Sequence, residues 1–290
     1  MDAKELNALI ALIALLDDPD KEVFNAISIN IINQGSAVVH LLEKEWESSL
    51  NELVQQRIES LIHSIQLKST MESLTKWVSS GAQDLLEGAF YVSLYQYPDA
   101  EFATIEQAIE KIRKDVWLEL NENLTALEKV KILNHIIYDI HGFTGNTANF
   151  FAPQNQFINQ VIETKKGGPI TLAILYSTVA QRLGLPIYTV NLPKNFILAY
   201  KDRFKTTLSD NPKDSILFYI NPFNKGSILG HREIEHFLNQ QNIELKDEFF
   251  LPCSNRVTIA QLISSLTYSY EKLGNHDKLH DLSLIMQIIA

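Results

Sequence analysis

The chain has 290 residues, room for one large domain or two to three smaller units, with 46% hydrophobic residues and a formal net charge of −10. That composition is globular, and the acidic balance disfavours nucleic acid, whose phosphates call for clustered Lys and Arg; Lys165 and Lys166 are the best basic pair and make no patch. One cysteine, Cys253, excludes an intramolecular disulfide framework and suits a reducing compartment.

Ala8 to Leu16 is an apolar run too short to span a bilayer. Asp2 and Glu5 leave no positive region ahead of it, and Asp17 to Asp20 is no cleavage site. The expectation is a buried amphipathic helix in a soluble, cytoplasmic protein. Residues 1 to about 120 read as helical, with apolar residues at helical spacing in Leu6, Leu9, Ile10, Ile13 and Leu16, then in Val23, Ile27 and Ile31. Pro19 separates the first two helices, and the pair with Gly35 resembles one HEAT-like hairpin, although no repeat period follows. Thr104 to Gln107 and Thr125 to Glu128 read as capping boxes, the second opening a helix through about Ile140.

Gly142 to Asn146 is a loop, Asn155 to Thr164 a helix, and Lys165 to Gly168 a tight bend. Pro169 to Leu183 is apolar on nearly every side, so a fully buried helix is expected, with Ala173, Leu175 and Tyr176 inside. Beyond Gly184, short runs rich in β-branched and aromatic residues predict strands at Ile187–Leu192, Phe196–Tyr200 and Ser215–Ile220. Helix returns near His231 to Asn239. Asn255–Leu273 and His276–Ile289 form a terminal helical pair around the Gly274-Asn275 turn.

Five motifs come in one order: Gly142-Phe-Thr-Gly-Asn146, Gly168-Pro-Ile-Thr171, Arg182-Leu-Gly-Leu185, Leu192-Pro-Lys-Asn-Phe196 and Asn221-Pro-Phe-Asn-Lys-Gly226. Over roughly residues 120 to 240 they resemble the SirB-type branch of the transglutaminase-like superfamily, whose members typically read GxPISL, PGHF and DPF at the second, fourth and fifth of these places. The terminal pair is similar to the single tetratricopeptide-like hairpin of such proteins. The resemblance implies a Cys–His–Asp arrangement, in which a thiolate at a helix start attacks a carbonyl, His moves the proton and Asp orients the imidazole. Here those slots hold Pro169, Asn195 and Asn221. Proline offers no nucleophile, and Asn does not titrate near neutrality. Pro169 suits the first position of a helix, where no N–H is needed.

Other candidates weigh less. Thr171 stands two residues beyond the Cys slot, but no His is placed to activate it, and a hydrogen bond to the helix backbone is expected. Cys253 reads as a small buried hydrophobe. His276 and His280 share a helix face without the Glu of a metal-binding HExxH or a third ligand. His231 and His236 point apart, and the Lys166–Thr171 loop lacks the GxxxxGK pattern of a phosphate cradle.

The sequence reading is therefore α+β and predominantly helical. It divides into an N-terminal helical bundle over 1–120, a transglutaminase-like core with a small antiparallel sheet over 121–250, and a helical hairpin over 251–290. Pro169, Thr171, Asn195 and Asn221 mark a vestigial cleft, with no catalytic residue, metal or cofactor expected. The expected role is a non-catalytic binding or regulatory module with a protein or peptide partner, and neither nucleic acid nor membrane. The alternatives are a hydrolase or amidase using a non-cysteine nucleophile in the same cleft, and a structural subunit of an assembly.

Overall fold

The computed structural model describes residues 3–202 and 212–290. The first two positions of the stretch read as helical thus lie outside the described residues. The chain divides into two compact units, Met1–Ser73 with Leu94–Pro98 and Leu74–Ser93 with Asp99–Ala290. The packing places the division differently from the boundaries near 120 and 250, because the helix after Pro98 and the terminal pair both bury their faces within the second unit.

The first unit holds α1 (Ala3–Ala14), α2 (Lys21–Asn33), α3 (Val39–Ser48) and most of α4 (Glu52–Ser79). Asp20 caps α2, its carboxylate accepting from the Glu22 N–H at 2.8 Å, the arrangement that satisfies an orphan donor at a helix start. Arg57 of α4 donates to the Leu16 and Asp18 carbonyls at 2.7 and 2.6 Å and lies over the Phe24 ring. Leu9, Leu16, Ile31, Leu42 and Ile58 form the buried seam beneath.

The second unit begins with the end of α4 and contains α5 (Leu85–Leu94) except for its last residue, α6 (Phe102–Glu119) and α7 (Ala126–Asn134). The Thr125 capping box forms as expected: the Glu128 N–H donates to Thr125 Oγ1, and the Thr125 N–H to the Glu128 carboxylate. The helix then runs on to Ile140 through a π turn, His135–Ile140. The Thr104 box does not form. α6 starts one turn earlier, at Phe102, whose ring packs on Phe90, and no side chain caps it.

Next come β1 (Thr144–Gly145), α8 (Ile158–Thr164), β2 (Lys166–Gly167) and α9 (Pro169–Arg182). They are followed by the antiparallel sheet of β3 (Ile187–Val190), β4 (Ile197–Lys201), β5 (Ile216–Asn221) and β6 (Ser227–Leu229), in sequential order. β6, three residues between two glycines, is too short to be read from its pattern. Then α10 (His231–Gln240) covers one face of the sheet through Ile234 and Leu238, packed with Val190, Ile197, Ala199 and Tyr219. α11 (Asn255–Leu273) and α12 (His276–Ile289) close the chain on the boundaries read from the sequence.

α9 is the centre of this unit. From Leu172 to Val179 the apolar run is broken only by Ser177 and Thr178, and Ala173, Leu175 and Tyr176 are fully buried, as expected. It packs on α6, α8, α11, β3 and β4. No helix among the described residues is long and apolar enough to cross a membrane.

Candidate functional site

The start of α9 is built by Asn155, which is 2% exposed. Its carbonyl accepts from the Gly168 N–H at 3.0 Å and from the Thr171 hydroxyl. Its amide donates to the Asn149 and Phe150 carbonyls at 2.7 and 3.0 Å and accepts from Asn146 at 2.9 Å. One buried residue thus ties the 146–150 loop, through its side chain, to the helix start, through its backbone carbonyl. Ahead of the helix, Lys165 turns the chain in the left-handed region (φ +62°), and β2 pairs in parallel with β1.

Beside this start lies a cleft of about 340 Å³, lined by Pro169, Ile170 and Gln156, by the Asn191–Phe196 turn, by Phe150 and Phe151, and by one face of α11 from Gln261 to Ser269. Its rim is aromatic. Phe223, Phe150, Phe151 and Tyr268 form a chain of edge-to-face contacts with centroids 5.2–5.5 Å apart. Phe150, Phe151 and Tyr268 are 42–47% exposed, an unusual outlay of ring surface to water.

Gln156 stands apart within the cleft. It is 3% exposed, and its Oε1 is buried with no hydrogen-bond partner among the described residues. Its amide lies against the helix start, since a Cβ added at Gly168 would come within 3.1 Å of both amide atoms. A buried polar atom without a partner costs about 1–3 kcal/mol, a penalty rarely left standing in a scaffold.

Of the residues read from the sequence, Pro169 and Asn195 line this cleft; Thr171 and Asn221 do not. Pro169 occupies the first helical position. The Asn195 side-chain oxygen, Oδ1, accepts from the next backbone N–H, that of Phe196, at 2.9 Å, in a turn where Lys194 is left-handed. Thr171 is fully buried, and its hydroxyl donates to the Asn155 carbonyl in another segment rather than to its own helix. Asn221 ends β5, and its side chain caps the following turn, accepting from the Phe223 and Asn224 N–H groups at 3.1 and 3.2 Å. Both asparagines therefore spend their carbonyl oxygens on their own backbones.

The turn after Asn221 is held firmly. Tyr138 donates to the Pro222 carbonyl at 2.9 Å, and Asn134 to the Gly226 carbonyl at 2.8 Å, while Tyr176 donates to Asn134 at 2.9 Å. Burial pushes both phenols up, so they remain donors across the physiological range. Gly226 has φ +69°, and a Cβ there would fall 2.0 Å from the Asn134 amide oxygen, so only glycine fits.

The remaining candidates lie outside the cleft. Cys253 is half-buried rather than enclosed, its thiol donating to the Thr189 carbonyl at 3.4 Å beside the Thr258 hydroxyl. His276 and His280 are exposed on α12, and among the described residues no group of three or more His, Cys, Asp or Glu could hold a metal ion. His231 pairs with Glu235 and His236 with Gln240, each within α10. The sequence reading missed Gln156, the aromatic rim and the contribution of α11. The adjacent Phe150-Phe151, an aromatic pair in a polar loop, was the available signal.

A central helix, preceded by a glycine bend and followed by an antiparallel sheet whose β3–β4 turn brings Asn195 into the same cleft as the helix start, is the layout of a thiol-enzyme core. The family model of the transglutaminase-like superfamily matches residues 103–264, more than half of the chain, and the chain belongs to that superfamily. It is 24% identical to a UPF0162 protein of Xylella fastidiosa over 67% of each chain, and 25% identical to one of Vibrio cholerae over 54% of each. It is also 29% identical to F-box only protein 21 of Mus musculus, over 54% of this chain and 28% of that one. No solved structure matches.

Proposed function

We propose that this chain is a non-catalytic member of the superfamily whose cleft binds a peptide or a protein segment. The observation that carries the reading is the start of α9. The nucleophile slot is proline, and Thr171, the hydroxyl two residues beyond it, is fully buried and engaged with the Asn155 carbonyl. No histidine or carboxylate lines the cleft among the described residues, so the commonest general bases are missing from it. What remains is a concave site with an exposed aromatic rim and neutral amides, a composition suited to holding a polypeptide. The same segment forms a small part of the much longer F-box only protein 21, which supports its use as a module within larger chains.

Two measurements test the proposal. Peptide amides and esters incubated with the purified protein should not turn over, with or without iodoacetamide. Peptides selected from a random displayed library should bind, and Phe151→Ala should weaken them. Turnover abolished by Thr171→Ala or by Cys253→Ala would overturn it, as would selected peptides indifferent to Phe151.

A further inference from the structure

We infer that the cleft takes the free carboxy-terminus of a peptide, its last residue read jointly by Gln156, the start of α9 and Lys194; this rests on the peptide-binding reading above. Three observations converge. The first is electrostatic. A fourteen-residue helix points its N-terminus at the cleft with no side chain capping it. Gly168 has spent its N–H on Asn155, Pro169 has none, and the Leu172 N–H takes the Gly168 carbonyl, which leaves the Ile170 and Thr171 N–H groups of the first turn, Ile170 being a residue of the cleft lining. Such a terminus attracts negative charge. Lys194 is the one charged residue lining the cleft among the described residues. Its ammonium reaches Gln241 at 2.9 Å and keeps donors for a second partner. In a chain of net charge −10, a cleft without any carboxylate is a local reversal of sign.

The second observation is the Gln156 oxygen, nearly buried and unpartnered, lying against the helix start. It asks for a donor beside the anion. The backbone N–H of a terminal residue supplies one, two bonds from its carboxylate carbon, and Gln156 is among the residues that line the cleft where it would lie. An anion with no proton to donate, such as sulfate, would leave that oxygen unpaired. The third is size. About 340 Å³ is at the small end of ligand sites and suits one or two residues rather than an extended strand, with Phe151, Tyr268 and Leu192 offering an apolar wall to the last side chain.

The test uses three probes on the wild-type protein, followed by backbone amide NMR: N-acetyl-phenylalanine, its carboxamide, and 3-phenylpropionate, which keeps the carboxylate and ring but lacks the N–H. N-Acetyl-phenylalanine should move the Gly168 and Ile170 resonances and bind roughly tenfold more tightly than either of the other two. Gln156→Leu should bring it down to the level of 3-phenylpropionate, and Lys194→Met should weaken both carboxylates while sparing the carboxamide. Equal binding of the carboxamide at the same resonances would overturn this inference and leave the peptide-binding function standing. Equal binding of 3-phenylpropionate, or shifts confined to residues outside the cleft, would overturn it as well. The three-probe comparison needs no variant, so it decides the matter even where a substitution prevents folding.

Discussion

The two ends of α9 treat their polar groups in opposite ways. At the C-terminal end Arg182 pairs with Glu106 at 2.5 Å and Glu110 at 3.2 Å, Gln181 donates to the Ile187 carbonyl at 2.9 Å, and Gly184 turns the chain at φ +70°. Along the body, Tyr176 is tied through Asn134 to the turn after Asn221. At the N-terminal end the helix is uncapped by any side chain, Gln156 keeps an unpaired oxygen and aromatic rings stand in water. A scaffold satisfies its buried polar groups. The C-terminal half is not free of unsatisfied atoms, since Thr178 Oγ1 is also buried without a partner among the described residues, so the contrast rests on the uncapped start and the exposed rings together with Gln156.

The body of the helix sets the scale against which both ends are judged. Leu175→Ala, at a fully buried position, should cost about 2–5 kcal/mol in urea unfolding. A loss below about 1 kcal/mol would mean that α9 is not the core of this unit, and the contrast between its ends would lose its meaning. Next in size comes the satisfied polar tie. Asn134→Ala strands the Tyr176 hydroxyl and the Gly226 carbonyl together, so a destabilisation of roughly 1–3 kcal/mol is expected. Tyr176→Phe in the same background should add little, because the two residues form one network. Additive losses would show that the tie is not a unit.

The cleft end should respond with the opposite sign. Gln156→Leu removes an oxygen that has no partner while keeping most of the volume, so stability should hold within about 1 kcal/mol or rise. A loss of about 2 kcal/mol or more would show that Gln156 is a satisfied structural group, and the contrast would collapse. Taken with the Asn134 result, this pair of variants is the sharpest test of the difference between scaffold and site.

What the sequence disclosed and what it concealed follow the same division. The bounds of α11 and α12 were legible because Gly274-Asn275 punctuates two periodic runs, and α9 because Gly168-Pro169 and Gly184 bracket an all-apolar segment. The Thr125 box was legible and the Thr104 box misleading. The same pattern recurs wherever Thr precedes Glu or Gln by three, and the anchoring of Phe102 on Phe90 decided where α6 begins. Pro169 and Asn195 meet in one cleft because order along the chain carries that much of the layout. Thr171 and Asn221 depart from it because the direction of a short polar side chain is set by the nearest unpaired backbone group, which periodicity does not reveal. Gln156 was invisible for a related reason: its place depends on a missing Cβ at Gly168, twelve residues away.

The smallest effect belongs to the clamped end and is read through pH. Glu110 accepts from Arg113 at 2.7 Å and from Arg182 at 3.2 Å. The Arg113 hydrogen bond, then that of Arg182, hold its carboxyl below the ordinary value of 4.5 against the opposing effect of burial. A carboxyl depressed in the folded state stabilises it above the ordinary carboxylate range, and that contribution is lost as pH falls from about 4.5 through the folded value. Wild type should therefore unfold at higher urea than Glu110→Gln at pH 7, and the gap should narrow by pH 3. The gap itself will be small, because the side chain is 35% exposed and solvent screens such pairs. Glu106, the closer partner of Arg182, stays in place and keeps the guanidinium engaged in the variant. A gap that is unchanged between the two pH values would mean that Glu110 holds α6 against α9 by packing alone, and the clamp would then no longer be the electrostatic counterpart of the open N-terminal end.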